Sequence, residues 1–168
     1  MKNVYQQKRQ EGFTIIEVLI VLAIAAVILL IVFLAVPALQ RNSRNNGIRN
    51  DAAGVLAGVN DYVANNNGTQ PTGVTVTGNI VSITGTGTAA EAKVRGGTSV
   101  SLTVTAPGAA SCSASMPTGT QTGTVVIATN CKCNQAGNAF LASARATAAG
   151  FLTEVTSGGG TAPQCIES

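Results

Sequence analysis

The sequence predicts an α+β protein in which one long N-terminal helix is followed by an antiparallel β-sheet. Two observations predict this arrangement. An uncharged apolar run from Val18 to Leu39 leads into a stripe of apolar residues at helical spacing that reaches Val63. From residue 69 onward, apolar and polar residues alternate and turn residues separate the runs, which is typical of short half-buried strands. The helix is therefore expected to have a membrane-spanning first half and a second half that packs on the sheet.

The apolar run is long enough to cross a membrane, because about 20 such residues span a bilayer as a helix. It is longer than the apolar region of roughly 7–15 residues in a secretory signal peptide, and no good A-x-A-like site follows it. One acid, Glu17, lies at its start. A carboxylate at mid-bilayer costs about 2.5–3.5 kcal/mol, so an ionisable residue in a span indicates a function. An ordinary single-span anchor would explain neither Glu17 nor the Gly12-Phe13 junction before it.

The second half of the helix is predicted by an amphipathic stripe. Its apolar members are Ile48, Ala52, Val55, Leu56, Val59, Tyr62 and Val63. The stripe stops at Asn65-Asn66-Asn67-Gly68, which is a strong C-terminal signal. Pro37 and the helix-poor segment ending at Gly47 are candidate kinks. A continuous but bent helix and two helices joined by a short loop are both compatible with this pattern.

The strands are predicted from alternation and from the turn residues between them. The predicted strands are Gly73–Thr77, Asn79–Thr84, Val100–Thr105 and Thr124–Thr129. The segment from Ala139 to Val155 is ambiguous, since its alanines favour helix while Phe151–Val155 favours strand. We expect a strand there that pairs with Gln164–Ile166 across the glycines at 158–160.

Charge and composition exclude several classes of function. The formal net charge is +3, and most of it lies in the first 12 residues, so the remainder is nearly neutral and gives no electrostatic case for nucleic acid. The chain has no His, which removes the commonest general base and transition-metal ligand. Its acids are scattered without calcium-loop spacing. We therefore expect no enzymatic activity, no metal site and no cofactor.

Four cysteines, Cys112, Cys131, Cys133 and Cys165, are disulfide candidates. A direct bond between Cys131 and Cys133 would be strained, because residues two apart on a strand lie roughly 6.5–7 Å apart. Two pairings remain open: 112–131 with 133–165, or 112–133 with 131–165. Either one ties down the last strand region through Cys165. Four thiols could also bind zinc in a cytosolic protein, but an exported chain favours disulfides.

Residues 9 to 39, which read RQEGFTIIEVLIVLAIAAVILLIVFLAVPAL, resemble a type IV prepilin with a class III signal peptide. The resemblance implies that a prepilin peptidase cuts after Gly12 and that the new terminus, Phe13, is methylated on nitrogen. It implies that Glu17 is the family's assembly acid, that Pro37 is its helix-breaking residue, and that a disulfide tethers the C-terminal segment. The implied segments are a cytoplasmic leader (1–12), a transmembrane and filament-core helix (13–39), an amphipathic helix half (40–67) and a globular antiparallel β domain (68–168).

The function implied by this resemblance is that of a structural subunit of a type IV pilus. Such a subunit is held in the inner membrane as a single-pass protein, and the pilus assembly machinery then polymerises it into an extracellular filament. Phe13, Thr14 and Glu17 would serve assembly, because the cationic amine of Phe13 can pair with Glu17 of a neighbouring copy. Adhesion, motility and secretion all use such filaments. The alternatives are a minor pilin, a type II secretion pseudopilin, and an unrelated single-span protein with an extracellular binding module.

Overall fold

The computed structural model describes residues 12–119, 122–155 and 160–168. The chain divides into two compact units, Met1–Leu39 and Gln40–Ser168. The predicted leader lies outside the described residues except for Gly12, and so do Gly158 and Gly159 of the predicted glycine loop.

One helix, α1 (Ile15–Asn65), accounts for all the helical structure that we describe. Its side chains up to Gln40 are exposed, and the buried ones begin at Ile48. The predicted apolar stripe is buried there, apart from the partly buried Val63. The helix ends where the asparagines predict: Asn67 adopts a left-handed conformation (φ 53°), and the Gly68 nitrogen donates to the Val63 carbonyl at 2.8 Å. These features are those of a Schellman C-cap.

The helix runs without a break through Asn45, Asn46 and Gly47, so the two-helix alternative is wrong. Tertiary contacts explain why this helix-poor segment stays helical. The guanidinium of Arg95 lies against the helix at Gly47, in the space that a β-carbon would occupy. The Asn45 side chain exchanges two hydrogen bonds with the main chain of Glu154, at 2.8 and 2.9 Å. Pro37 lies inside the helix as well, and its role as a kink stays a prediction.

The strands form two sheets. The first sheet is antiparallel and has the order β1-β2-β3. Its strands are β1 (Gly73–Thr77), β2 (Ile80–Thr84) and β3 (Ala90–Lys93). The second sheet has the order β4-β5-β6-β7. Its strands are β4 (Ser99–Val104), β5 (Thr124–Cys133), β6 (Phe140–Glu154) and β7 (Thr161–Glu167). The α+β class is thereby confirmed.

The expectation of one wholly antiparallel sheet needs correction, because β4 pairs with β5 in parallel. Parallel neighbours need a crossover of a dozen or more residues, and the segment 105–123 is long enough to supply it. The other pairs are antiparallel, and the predicted pairing across the glycines is confirmed by the register of Phe151 with Gln164. The sequence did not predict β3, whose Ala-Glu-Ala-Lys composition favours helix.

The core lies between the second half of α1 and both sheets. Ile48, Val55, Val59 and Tyr62 of the helix pack in one cluster with residues of both sheets; those of the sheets include Val81, Ile83, Val125, Ile127 and Phe151. The first sheet approaches the helix closely at Gly58, where a β-carbon would lie 2.8 Å from Ile83 Cδ1 and 3.0 Å from Ala92 Cβ. A small residue at 92 therefore makes room for β3 at the helix.

Candidate assembly site and its supporting contacts

The candidate assembly residues lie at the start of α1, where Thr14 caps the helix. The Glu17 main-chain nitrogen donates to Thr14 Oγ1 at 3.3 Å, and the Thr14 hydroxyl donates to Glu17 Oε2 at 3.4 Å. A Thr followed three positions later by a Glu is the capping-box pattern. Sequence reasoning missed this relationship, although Thr-Ile-Ile-Glu carries the signal. The cap brings two of the proposed assembly residues together and keeps the Glu17 carboxylate at the first turn.

The surroundings of this cap are apolar and exposed. Phe13 is 85% exposed, and Glu17 is exposed as well. Beside the acid lie Phe13, Val18, Val21 and Leu22, which line a shallow depression along the helix. Within the described part of the chain, α1 is the one helix that is long and apolar enough to cross a membrane. The candidate site is therefore a carboxylate at the start of an uncovered apolar surface.

The four candidate cysteines form two disulfides in the globular unit. Cys112 bonds to Cys131, and Cys133 bonds to Cys165, with Cα–Cα distances of 5.8 and 5.7 Å. The structure thus adopts the first of the two pairings that the sequence left open. Cys165 belongs to β7 and Cys133 to β5, so the second bond joins the final strand to a strand that is not its neighbour in the sheet.

An irregularity in the pairing of β5 with β6 accompanies this arrangement. The register shifts between Thr129 and Cys131, and residues 143–146 of β6 have no partner there. Asn130 adopts a left-handed conformation (φ 56°) at this bulge, and its side chain donates to the Thr105 carbonyl at 2.7 Å. Such a bulge bends a strand. Beyond it, the Cys133 nitrogen donates to Glu167 Oε2 of β7 at 2.7 Å, so β5 and β7 meet directly.

One ion pair connects the helix to the end of β6. Arg44 donates to both carboxylate oxygens of Glu154, from Nε at 2.6 Å and from Nη2 at 2.7 Å. Hydrogen bonding from Arg44 lowers the pKa of Glu154 below its usual value and raises the pKa of Arg44. With the two Asn45 bonds described above, this strand end is held to the helix by four hydrogen bonds.

A second acid, Asp51, is buried on the helix face and has three donors. It accepts from the main-chain nitrogen of Arg95 at 3.2 Å, from Arg95 Nε at 3.0 Å and from the Thr98 hydroxyl at 2.8 Å. The sequence showed Asp51 only as one scattered acid. Its position in the apolar stripe, next to Ala52, was the available signal, since a buried acid requires partners.

Among the residues that the structure describes, no group of three or more His, Cys, Asp or Glu side chains could hold a metal ion. The described contacts in the globular unit include two disulfides, two ion pairs and one apolar core.

A family model described as the prokaryotic N-terminal methylation motif matches residues 7–33. This match covers the Gly12-Phe13 junction, Glu17 and most of the apolar run. No curated protein and no solved structure matches the chain. The match to the methylation motif shows that the chain carries a class III signal peptide. Its single long helix packed on β-sheets is an arrangement like that of type IV pilins, and the matched motif is one that supports a type IV pilin-like or pseudopilin protein.

Proposed function

We propose that this chain is a structural subunit of a type IV pilus, cut between Gly12 and Phe13 and polymerised through its N-terminal helix. One observation carries the proposal: the acid Glu17 lies at the start of an exposed apolar helix, directly behind a junction that the methylation motif covers. An acid in that position is costly in lipid, and pairing with a cation offsets that cost.

The exposed apolar surface supports a function in membranes and polymers. The side chains from Ile15 to Leu39 are uncovered. Apolar surface is stabilised by about 25 cal/mol per Å² when it leaves water, so this helix requires either lipid or other apolar helices around it. A bilayer provides the cover before assembly, and the helices of neighbouring copies provide it in a filament.

The capped acid supports a defined register between those copies. Cleavage would leave a cationic amine on Phe13, and an incoming copy can place that amine beside Glu17 of its neighbour. The Thr14 hydroxyl contacts only Oε2 of the carboxylate, so Oε1 can accept a bond from the amine. Paired charges offset a desolvation cost that neither could bear alone, and a copy one step out of register would leave a charge unpaired.

The remaining assignments follow from this function. Residues 1–12 form the cytoplasmic leader, 13–39 the transmembrane and filament-core segment, 40–67 the amphipathic half of the helix and 68–168 the globular β domain. The partners are a prepilin peptidase, the inner-membrane assembly machinery and other copies of the chain. The protein is a single-pass inner-membrane protein first and part of an extracellular pilus afterwards.

Two other functions fit the same fold. A minor pilin or a type II secretion pseudopilin would also be processed at Phe13 but would be scarce in sheared filaments. A membrane-anchored extracellular binding module would be neither processed nor polymerised.

The test is to shear filaments from cells and to determine the N-terminus of this protein by intact-mass and peptide mass spectrometry. An abundant chain that begins at Phe13 and carries one added methyl group supports the major-subunit proposal. A processed chain found only in trace amounts points to a minor pilin or pseudopilin. A chain that begins at Met1 and occurs only in membranes contradicts the proposal.

A further inference from the structure

The globular unit contains a small pocket lined by two arginines. Its lining consists of Arg44, Arg95, residues 96–98 and residues 122–123, and its volume is about 230 Å³. We refer to it as the basic pocket. The ion pairs of Arg44 with Glu154 and of Arg95 with Asp51 use only part of each guanidinium, so the remaining part can bind a ligand in this pocket.

Both arginines retain hydrogen-bond donors. Arg44 binds Glu154 through Nε and Nη2, which leaves Nη1. Arg95 binds Asp51 through Nε and its main-chain nitrogen, and its Nη1 lies against the helix at Gly47, which leaves Nη2. The two side chains are 51% and 48% exposed, so a solute can reach them.

These donors suit an oxyanion. A guanidinium presents a planar set of N–H groups that matches phosphate geometry. Gly96 and Gly97 of the lining have no side chains, so an anion can approach the main chain closely there.

The position of Arg44 along the chain indicates where the anion comes from. Arg44 follows Leu39, the last residue of the apolar run, by five positions. Five helical residues rise about 7.5 Å, and even a fully extended chain would reach only about 17 Å. Headgroups occupy roughly 5–7 Å on each side of the hydrocarbon core. When Leu39 lies at the edge of that core, the Arg44 backbone lies just outside the headgroup layer, and its long side chain can reach back to the lipid phosphates.

We propose that the basic pocket binds the phosphate of an anionic phospholipid headgroup while the protein is held in the membrane, by means of the terminal guanidinium nitrogens of Arg44 and Arg95. This inference rests on the membrane-anchored state in the proposed function and does not require polymerisation. A bound headgroup fixes the globular unit at the membrane surface before assembly, and extraction of a subunit then requires its release.

The test is a lipid titration of the full chain in zwitterionic detergent micelles. The lipid is a short-chain phosphatidylglycerol, and binding is followed by the amide NMR signals of residues 96–98 and 122–123. We expect saturable shifts with phosphatidylglycerol and none with a diacylglycerol of the same chain length. Equal shifts with both lipids would show that acyl chains cause them and would overturn the proposal.

Two substitutions at Thr122 probe the pocket without removing either ion pair. Thr122→Glu places an acid beside the arginines, and Thr122→Gln is its neutral counterpart of the same size. One unit of charge at a membrane surface contributes about 1 kcal/mol, so the glutamate should weaken binding about fivefold or more. Thr122→Gln reports the effect of side-chain size alone, so the fivefold loss is measured between the glutamate and glutamine variants. Arg49→Gln, which removes a helix charge outside the pocket, should stay within about twofold of the parent.

The same titration distinguishes other sources of the anion. Inorganic phosphate that binds as tightly as the lipid would assign the pocket to a soluble ion and contradict the headgroup proposal. Equal affinity of all variants would contradict it as well. Cross-linking of copies of the chain is measured separately. If the Thr122 variants change the yield of cross-linked copies but not the lipid affinity, the pocket binds a neighbour's carboxylate and the lipid proposal is wrong. A chain that proves to be unprocessed in the filament experiment would leave the lipid result standing, so the two proposals fail separately.

Discussion

The guanidinium of Arg95 lies against the helix backbone at Gly47 and reaches from there to Asp51, one turn further along. A residue with a β-carbon at position 47 would occupy the space of that guanidinium. The glycine that reads as a helix breaker in the sequence is therefore the position at which a loop side chain crosses the helix.

Gly47→Ala should destabilise the protein even though alanine is the better helix former. The arginine must move away and lose its Nε bond to the buried Asp51, which costs about 1.5–3 kcal/mol before solvent screening and outweighs a propensity gain of about 1 kcal/mol. We expect a net loss of about 1 kcal/mol in the free energy of unfolding, measured by denaturant titration.

Gly54→Ala is the matched control on the same helix. A β-carbon there would lie 3.4 Å from the Lys93 carbonyl oxygen, an ordinary contact, so alanine should stabilise by up to about 1 kcal/mol. Effects of the same sign at both positions would refute this interpretation of Gly47.

Glu17→Leu should leave membrane insertion intact and strongly reduce incorporation into filaments. Leucine is favourable in a bilayer, but it cannot pair with the amine of a neighbouring Phe13. Quantitative immunoblots of sheared filaments and of membranes measure the two effects separately. Glu17→Asp, which keeps the charge, should retain more assembly than Glu17→Leu, and normal filament levels for the leucine variant would exclude the charge pair.

Glu154→Gln should lower the melting temperature slightly at neutral pH and have less effect in acid. The Arg44 bond depresses the folded-state pKa of Glu154, so the ion pair contributes stability above the unfolded-state pKa, near 4.5. That contribution is lost as the pH falls through the lower folded-state pKa. Melting temperatures of the parent and the variant should therefore converge as the pH falls below 4.5 and through the lower folded-state pKa.

Two controls accompany this measurement. The glutamine keeps the main-chain bonds to Asn45, so the fold at this strand end is preserved. High salt should also reduce the difference at neutral pH, because both side chains are at least partly exposed. A difference that is independent of both pH and salt would argue against the ion pair as its cause.

Digestion with trypsin should distinguish the two disulfide pairings, because Lys132 lies between Cys131 and Cys133. With the bonds described here, cleavage after Lys132 leaves Cys112–Cys131 inside the peptide 96–132. Cys133 and Cys165 then join the peptides 133–145 and 146–168. The alternative pairing would link all three peptides, which non-reducing mass spectrometry would show as one mass.

The sequence predicted those parts of the fold that depend on local pattern. The stripe from Ile48 to Val63 located the buried helix face, and Asn67-Gly68 located its end. The parallel pairing of β4 with β5 was missed, since alternation gives strands but not the direction of their neighbours. Strand β3 was missed because tertiary contact at Gly58 overrides its helical composition.

In the candidate site and its supporting contacts, too, the sequence revealed the residues that belong to a local pattern and not the pairs that are distant in the chain. The Gly12-Phe13 junction and Glu17 were recognisable because motif and apolar run are contiguous in the chain. The partners of Asp51 and Glu154 were not, because Arg95 is 44 residues from one and Arg44 is 110 residues from the other. Such pairs are created by folding, and the position of Asp51 in the apolar stripe indicates only that it needs a partner, not which residue supplies it.

The two disulfides determine how far this chain can lengthen under tension, such as the proposed filament would transmit. They join residues that are 19 and 32 positions apart, so tension between the helix and the C-terminus bypasses the chain within each ring. Roughly 170 Å of contour length stays inaccessible to force at about 3.4 Å per residue, until a thiol opens a bond. The stretch between the helix and Cys112 lies outside both rings and can be drawn out. The part of the domain before Cys112 is therefore extensible, and the part after it is nearly inextensible.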